Sequence, residues 1–171
     1  LQGAAGVSAE ADVVRIMTIH KSKGLEFPVC ILADCNAKFN LSDENKNAVV
    51  SSNAGLGLIR RDNATMAQYP TVCHKAVKRA LRADTVSEEM RVLYVALTRA
   101  KEKLIMVGAV KNAQKAALSC ALRLNNSRKT VTPFACSLSG SYLDWLLTAL
   151  LRHSDAKELR EKAEIGEDIV L

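Results

Sequence analysis

Apolar residues fall into short runs separated by polar stretches, and their spacing changes from one run to the next. Val13-Val14-Arg15-Ile16-Met17-Thr18-Ile19 is short and β-branched, and Val29-Cys30-Ile31-Leu32-Ala33 is continuously apolar. Both suit buried strands of a mainly parallel sheet, with residues 20–28 as the connection. Asn, Asp, Ser and Lys dominate from Asn36 to Asn47, which predicts a surface loop. Val49-Val50 and Leu56-Gly57-Leu58-Ile59 predict a hairpin. Tyr69-Pro70-Thr71 then predicts the start of a helix running to about Arg82. Thr85-x-x-Glu88 has the spacing of a capping box, in which hydroxyl and carboxylate satisfy backbone donors, and so predicts a second helix.

Met90, Leu93, Leu97 and Ala100 recur at three- and four-residue intervals and so share one face of that second helix. Glu88, Arg91 and Arg99 fall on the opposite side. Lys103 to Gly108 returns as a buried strand, followed by a helix from about Ala113 to Arg123. Asn125 to Pro133 breaks the pattern. Ser141-Tyr142-Leu143-Asp144-Trp145 opens an amphipathic helix to about His153, and Ala156 to Ala163 reads as a charged helical tail. Residues 1–10, small and polar with two glycines, read as a frayed lead-in. Strands and helices in this order predict one α/β unit, with flanking helices and a helical C-terminal extension.

At 171 residues the chain is long enough to bury one core. Its 49% hydrophobic and 25% charged residues exclude disorder along the whole length. A net charge of +6 tilts the expected partner toward an anion such as nucleic acid. The five cysteines form neither a CxxC pair nor an even disulfide set, so reduced thiols in a cytosolic protein are expected, with no metal site. No apolar run approaches the roughly 20 residues of a membrane span, and the N-terminus lacks the order of a signal peptide.

Chemistry concentrates in two stretches. Thr18-Ile19-His20-Lys21-Ser22-Lys23-Gly24-Leu25-Glu26-Phe27-Pro28 puts a hydroxyl, an imidazole, two ammonium groups and a carboxylate between two expected strands. The carboxyl ends of parallel strands are where ligands bind, although a solvated loop would have the same composition. Its Lys-Ser-Lys-Gly order is not a phosphate loop, because GxxxxGK[ST] places glycines first, and no stretch of the chain satisfies that pattern. The second stretch is Glu88-Glu89-Met90-Arg91-Val92-Leu93-Tyr94-Val95-Ala96-Leu97-Thr98-Arg99-Ala100-Lys101. A guanidinium at a helix end, facing away from the core, can reach a phosphoryl group held by another domain.

Together, TIHKSKGLEFP and EEMRVLYVALTRAKEKL resemble motifs V and VI of the UvrD-like superfamily I DNA helicases. GLGLIRR, YPTVCHKAVKRALR and SYLDWLLTALLRH narrow the resemblance to the A subunits of AddAB-type helicase-nucleases, over about residues 12–152. The resemblance implies a partial RecA-like sheet of the P-loop NTPase type. It divides the chain into the lead-in 1–10, a motor-domain portion 11–110, and an extension 111–171 directed toward a nuclease domain. Arg99 corresponds to the arginine finger, Glu26 to the carboxylate that binds the nucleotide's ribose, and Gly24 to a position against the nucleotide. Thr18 and His20, with Lys21 and Lys23, correspond to the side that grips single-stranded DNA. Arg91 can instead pair with Glu88 at i, i+3.

The implied cofactors are ATP and Mg²⁺. The implied partners are DNA, the first RecA-like domain of the parent and a second, AddB-like subunit, with no membrane. The implied setting is the bacterial cytoplasm, in double-strand break repair by 3′ to 5′ unwinding. The family's Walker A lysine, Walker B acids and nuclease carboxylates are not among these residues, so a fragment inactive by itself is expected. The alternatives are a UvrD-like helicase without a nuclease and a stand-alone nucleic-acid-binding or interaction module that kept the fold and lost the motor.

Overall fold

Two parallel strands and a 26-residue helix organise the molecule, seen in a computed structural model that describes residues 13–124, 130–166 and 169–170. β1 (Phe27–Leu32) pairs in parallel with β5 (Ala100–Met106), bringing Phe27 opposite Ala100 and Leu32 opposite Met106. Between them in sequence lies an antiparallel sheet of β2 (Ala48–Ser51), β3 (Gly55–Arg61) and β4 (Gln68–Pro70), followed by α1 (Val72–Leu97). After β5 come α2 (Ala113–Ala121), α3 (Pro133–Ser137), α4 (Tyr142–Leu150) and α5 (Lys157–Lys162).

The hairpin expected at Val49 and Leu56–Ile59 is β2–β3, with Val49 facing Gly57. Gly57 allows α1 to lie against it, since a Cβ there would stand 2.6 Å from the Cα of His74. Thr71 starts α1, accepting from the His74 amide at 3.1 Å and donating its hydroxyl to the Leu58 carbonyl at 2.7 Å. β4 and α3 had no distinct signal in the sequence.

Several expectations give way. The two helices are one, because nothing between Arg82 and Thr85 breaks the backbone ladder and a Thr-x-x-Glu pair fits a helix interior as well as a cap. The buried stripe of its later half is Val86, Leu93 and Ala96, while Met90 and Leu97 are exposed and Ala100 begins β5. Residues 13–18 form no strand, and Val14 and Ile16 are 93% and 98% exposed. An extended segment is a strand only with a neighbour to complete its ladder, and no described residue supplies one. For the same reason β1 and β5 are not buried strands. Leu32 packs inward, whereas Val29 and Ile31 are 50% and 65% exposed on a face that no described element covers.

Two clusters form the core. Phe39, Val86, Leu93 and Trp145 pack together beneath β1, with Tyr142 at the rim. The Trp145 ring centroid stands 4.8 Å from that of Phe39 and its indole N–H donates to the Cys136 carbonyl at 3.0 Å, so it packs a helix rather than offering a stacking surface. Burial and the Glu89 carboxylate that accepts its hydroxyl push the Tyr142 phenol well above its usual range. The second cluster joins α2 to the C-terminal helices through Ala117, Cys120, Leu151, Ala163 and Ile169. The loop expected over residues 36–47 is present, with a 3₁₀ turn at Ser42–Asn45, but it buries Phe39 and Glu44. The Phe39 amide ties it to the Gly140 carbonyl ahead of α4 at 2.8 Å, and just before the loop the Cys35 carbonyl accepts from the Leu143 amide in the first turn of α4 at 2.6 Å.

α2 and α4 begin as expected and end short of Arg123 and His153, and Asn112 and Ser141 cap them by accepting from the Lys115 and Asp144 amides. The expected tail helix is the shorter α5. The lead-in at 1–10 and residues 125–129 of the expected break lie outside the described residues. All five cysteines are free, and burial raises the thiols of Cys35, Cys120 and Cys136. Among the described residues no helix is long and apolar enough to cross a membrane.

Candidate functional site

The two polar stretches meet where β1 and β5 begin. Parallel pairing sets their amino ends side by side, and the Phe27 amide donates to the Arg99 carbonyl at 3.0 Å. The site is therefore at the amino edge of this sheet and not at a carboxyl edge, because the strand expected at residues 13–19 is not formed.

Ahead of β1 the chain folds on itself. His20–Ser22 is a 3₁₀ turn whose buried Ser22 donates its hydroxyl to the Ile19 carbonyl at 2.7 Å. The Lys21 amide donates to the Thr18 hydroxyl at 3.3 Å. Gly24 follows with φ +83°, a left-handed conformation that strains any residue with a Cβ, and the Leu25 amide closes back onto the Ser22 carbonyl at 3.0 Å. These backbone bonds leave Thr18, His20, Lys21, Lys23 and Glu26 exposed on the outside of the turn.

Arg99 sits two residues beyond the end of α1, and its side chain is held from three directions. Nε donates to the Val95 carbonyl at 2.8 Å, Nη1 to the Leu25 carbonyl at 3.0 Å, and Nη2 to the Thr98 hydroxyl at 2.9 Å. A guanidinium has five N–H groups, so two remain for a ligand. Thr98 is fixed in turn by donation toward the Tyr94 and Val95 carbonyls, at 2.9 and 3.1 Å.

Glu26 pairs with Lys101 at 3.4 Å, both side chains being more than half exposed. Such a pair is worth at most about 1 kcal/mol, so a competing hydrogen-bonding ligand can displace it. Sequence reasoning missed Thr98 and Lys101 as supports, although both stand in the string TRAK beside Arg99. Arg91 pairs with Glu88 at 3.0 Å, which is the structural alternative for that residue. The geometry thus gathers Arg99, Gly24 and Glu26 at one edge and places Thr18, His20, Lys21 and Lys23 on the turn leading into it.

The UvrD-like helicase C-terminal domain model matches residues 3–111, which contain the turn, both parallel strands and all of α1. The chain belongs to the UvrD-like helicase C-terminal domain family. It is 45% identical over 160 residues to the A subunit of the ATP-dependent helicase/nuclease of Acetivibrio thermocellus, covering 93% of this chain and 13% of that protein. The protein of the same name from a Clostridium botulinum type E strain is 48% identical over 153 residues, 88% of this chain and 12% of that protein. That of Ruminiclostridium cellulolyticum is 42% identical over 167 residues, 97% and 13%. The chain therefore spans about 13% of the length of the curated relatives it matches. The match to these relatives extends past the UvrD-like region into the sequence that follows β5.

Proposed function

We propose that this chain is the arginine-finger portion of an ATP-dependent DNA helicase-nuclease, acting in the bacterial cytoplasm in double-strand break repair with 3′ to 5′ unwinding. In this reading β1, β5 and α1 belong to a RecA-like motor domain within residues 11–110, and residues 111–171 lead toward a nuclease domain. The observation that carries it is the anchored Arg99, whose guanidinium is held against the Leu25 carbonyl beside Gly24 and Glu26. Three intramolecular bonds pre-orient a permanent cation and leave two donors free, which suits an anion presented from outside this chain.

These groups fit the far side of a nucleotide rather than the whole of it. Arg99 would meet the γ-phosphate, the left-handed Gly24 would let the backbone approach the nucleotide, and Glu26 would release Lys101 to accept from the ribose hydroxyls. When bound, ATP supplies the phosphoryl group whose hydrolysis drives movement. Its β- and γ-phosphates would rest on the first RecA-like domain, since no sequence here matches the phosphate loop. Among the described residues no three His, Cys, Asp or Glu side chains gather around a point, so the ligands of Mg²⁺ are assigned to the nucleotide and that other domain. Thr18, His20, Lys21 and Lys23 would hold single-stranded DNA through its phosphates, giving grip without sequence readout. A second, AddB-like subunit would complete the enzyme.

The test is complementation. The chain is added to the A subunit of a related helicase/nuclease from which the matching segment has been removed, and ATP turnover is measured with single-stranded DNA. Turnover should rise with added chain and saturate. DNA binding without any rise in turnover would instead mark a stand-alone nucleic-acid-binding module.

A further inference from the structure

At the opposite end of α1 from Arg99 lies a second basic surface that the nucleotide-site reading does not use. Lys75, Lys78, Arg79 and Arg82 are spaced by three, one and three residues, which puts them on one side of the helix. They line an open groove of about 790 Å³ together with Glu44 and Asn45 of the 3₁₀ turn. The groove is built rather than incidental. Glu44 is buried and holds Arg82 through an ion pair at 3.8 Å, while Arg82 Nε also donates to the Ser137 carbonyl at 3.3 Å. Lys78 donates to the Asn45 side chain at 3.0 Å. Lys75 and Arg79 are exposed, and their side chains make no hydrogen bond or ion pair with described residues. The neighbouring Asp43 is taken up by Lys46 at 2.6 Å, so Glu44 is the one carboxylate lining the groove, among the described residues, against four cations.

We infer that this groove binds the phosphate backbone of duplex DNA. From Lys75 to Arg82 the cations extend about 10 Å along the helix axis, at 1.5 Å per residue. One strand of a duplex presents a charge every 3.4 Å or so along its axis, so that length faces about three phosphates. Single-strand sites combine charge with aromatic stacking platforms, and no aromatic residue lines the groove among the described residues. The ligand that fits is a charged rail whose bases are hidden. The groove begins roughly 20 Å from the last turn of α1 by the same rise per residue, so one rigid helix joins a duplex contact to the end that carries Arg99. This assignment stands whether or not Arg99 touches a nucleotide.

The experiment is a salt titration of the 171-residue chain on a fluorescent blunt-ended duplex, between about 50 and 200 mM salt. Lys75→Gln with Arg79→Gln is compared with Arg60→Gln and Lys115→Gln, which removes two exposed charges elsewhere. Lys75→Arg with Arg79→Lys keeps the groove's charge and controls for folding. Losing two phosphate contacts lowers the slope of log K against log salt by about 1.8. That drop is expected in the groove variant alone, while the charge-preserving variant and the distal pair keep the unmodified slope. An unchanged slope in the groove variant overturns the assignment, as does an equal drop in the distal pair. A loss confined to single-stranded oligonucleotides also overturns it.

Discussion

Arg99 Nη1 donates to the carbonyl of Leu25 at 3.0 Å, across 74 residues of sequence, and so fastens the end of the long helix to the turn that precedes β1. With the Phe27 amide on the Arg99 carbonyl and the Glu26–Lys101 pair, it couples the two motif-bearing stretches. In the proposed reading, a displacement of the turn by DNA would be felt at the guanidinium, and a guanidinium drawn toward a phosphate would pull on the turn. In that reading the site is a joint between two ligands' binding elements rather than a pocket for either.

The chain by itself should hydrolyse no ATP above background. Without a phosphate-binding loop nothing fixes the β- and γ-phosphates, and phosphoryl transfer is mostly positioning and charge stabilisation. A phosphate-release assay on the pure chain with single-stranded DNA checks this, and sustained turnover abolished by Arg99→Ala would contradict the division of labour.

Gly57→Val should lower stability by about 1–3 kcal/mol, the usual cost of forcing atoms into a packed contact. The added Cβ meets the Cα of His74 at 2.6 Å and the Cys73 carbonyl at 3.1 Å, so the backbone itself must move. Thermal unfolding by circular dichroism reads the change, and a melting temperature equal to that of the unsubstituted chain would show that α1 does not press on β3 in solution.

Trp145→Ala should cost about 3–5 kcal/mol, as large aromatic truncations in cores do. The ring fills the space beside Phe39 and its N–H satisfies the Cys136 carbonyl, so both packing and a hydrogen bond are lost. Urea unfolding is the measurement. A loss below about 1 kcal/mol would mean that the indole is not part of the core.

How legible the molecule was from its residues depended on whether the deciding partner was local. The β2–β3 hairpin and the starts of α1, α2 and α4 follow from neighbours within a few positions, such as Thr71 accepting from the His74 amide. The continuity of α1 through Thr85 was not legible, because capping-box spacing is satisfied equally by a helix interior and only the packing of Val86 and Leu93 under Phe39 and Trp145 decides. The state of residues 13–18 depends on a ladder partner, which no local pattern reveals. At the site, Arg99, Gly24 and Glu26 were readable as residues, but their common edge follows from the parallel register of Phe27 with Ala100. The supporting roles of Thr98 and Lys101 needed distances.

The most direct test of Arg99 as the finger compares Arg99→Ala with Glu26→Ala in an intact helicase-nuclease containing this segment, with ATPase measured at saturating single-stranded DNA. A guanidinium aimed at the γ-phosphate gains most of its interaction as charge builds in the transition state, so Arg99→Ala should lower kcat by about 10³ and change KM little. A ribose contact is the same in ground and transition states, so Glu26→Ala should raise KM for ATP and leave kcat nearly intact. A silent Arg99→Ala, or both substitutions acting only on KM, would contradict the assignment of Arg99 as the finger.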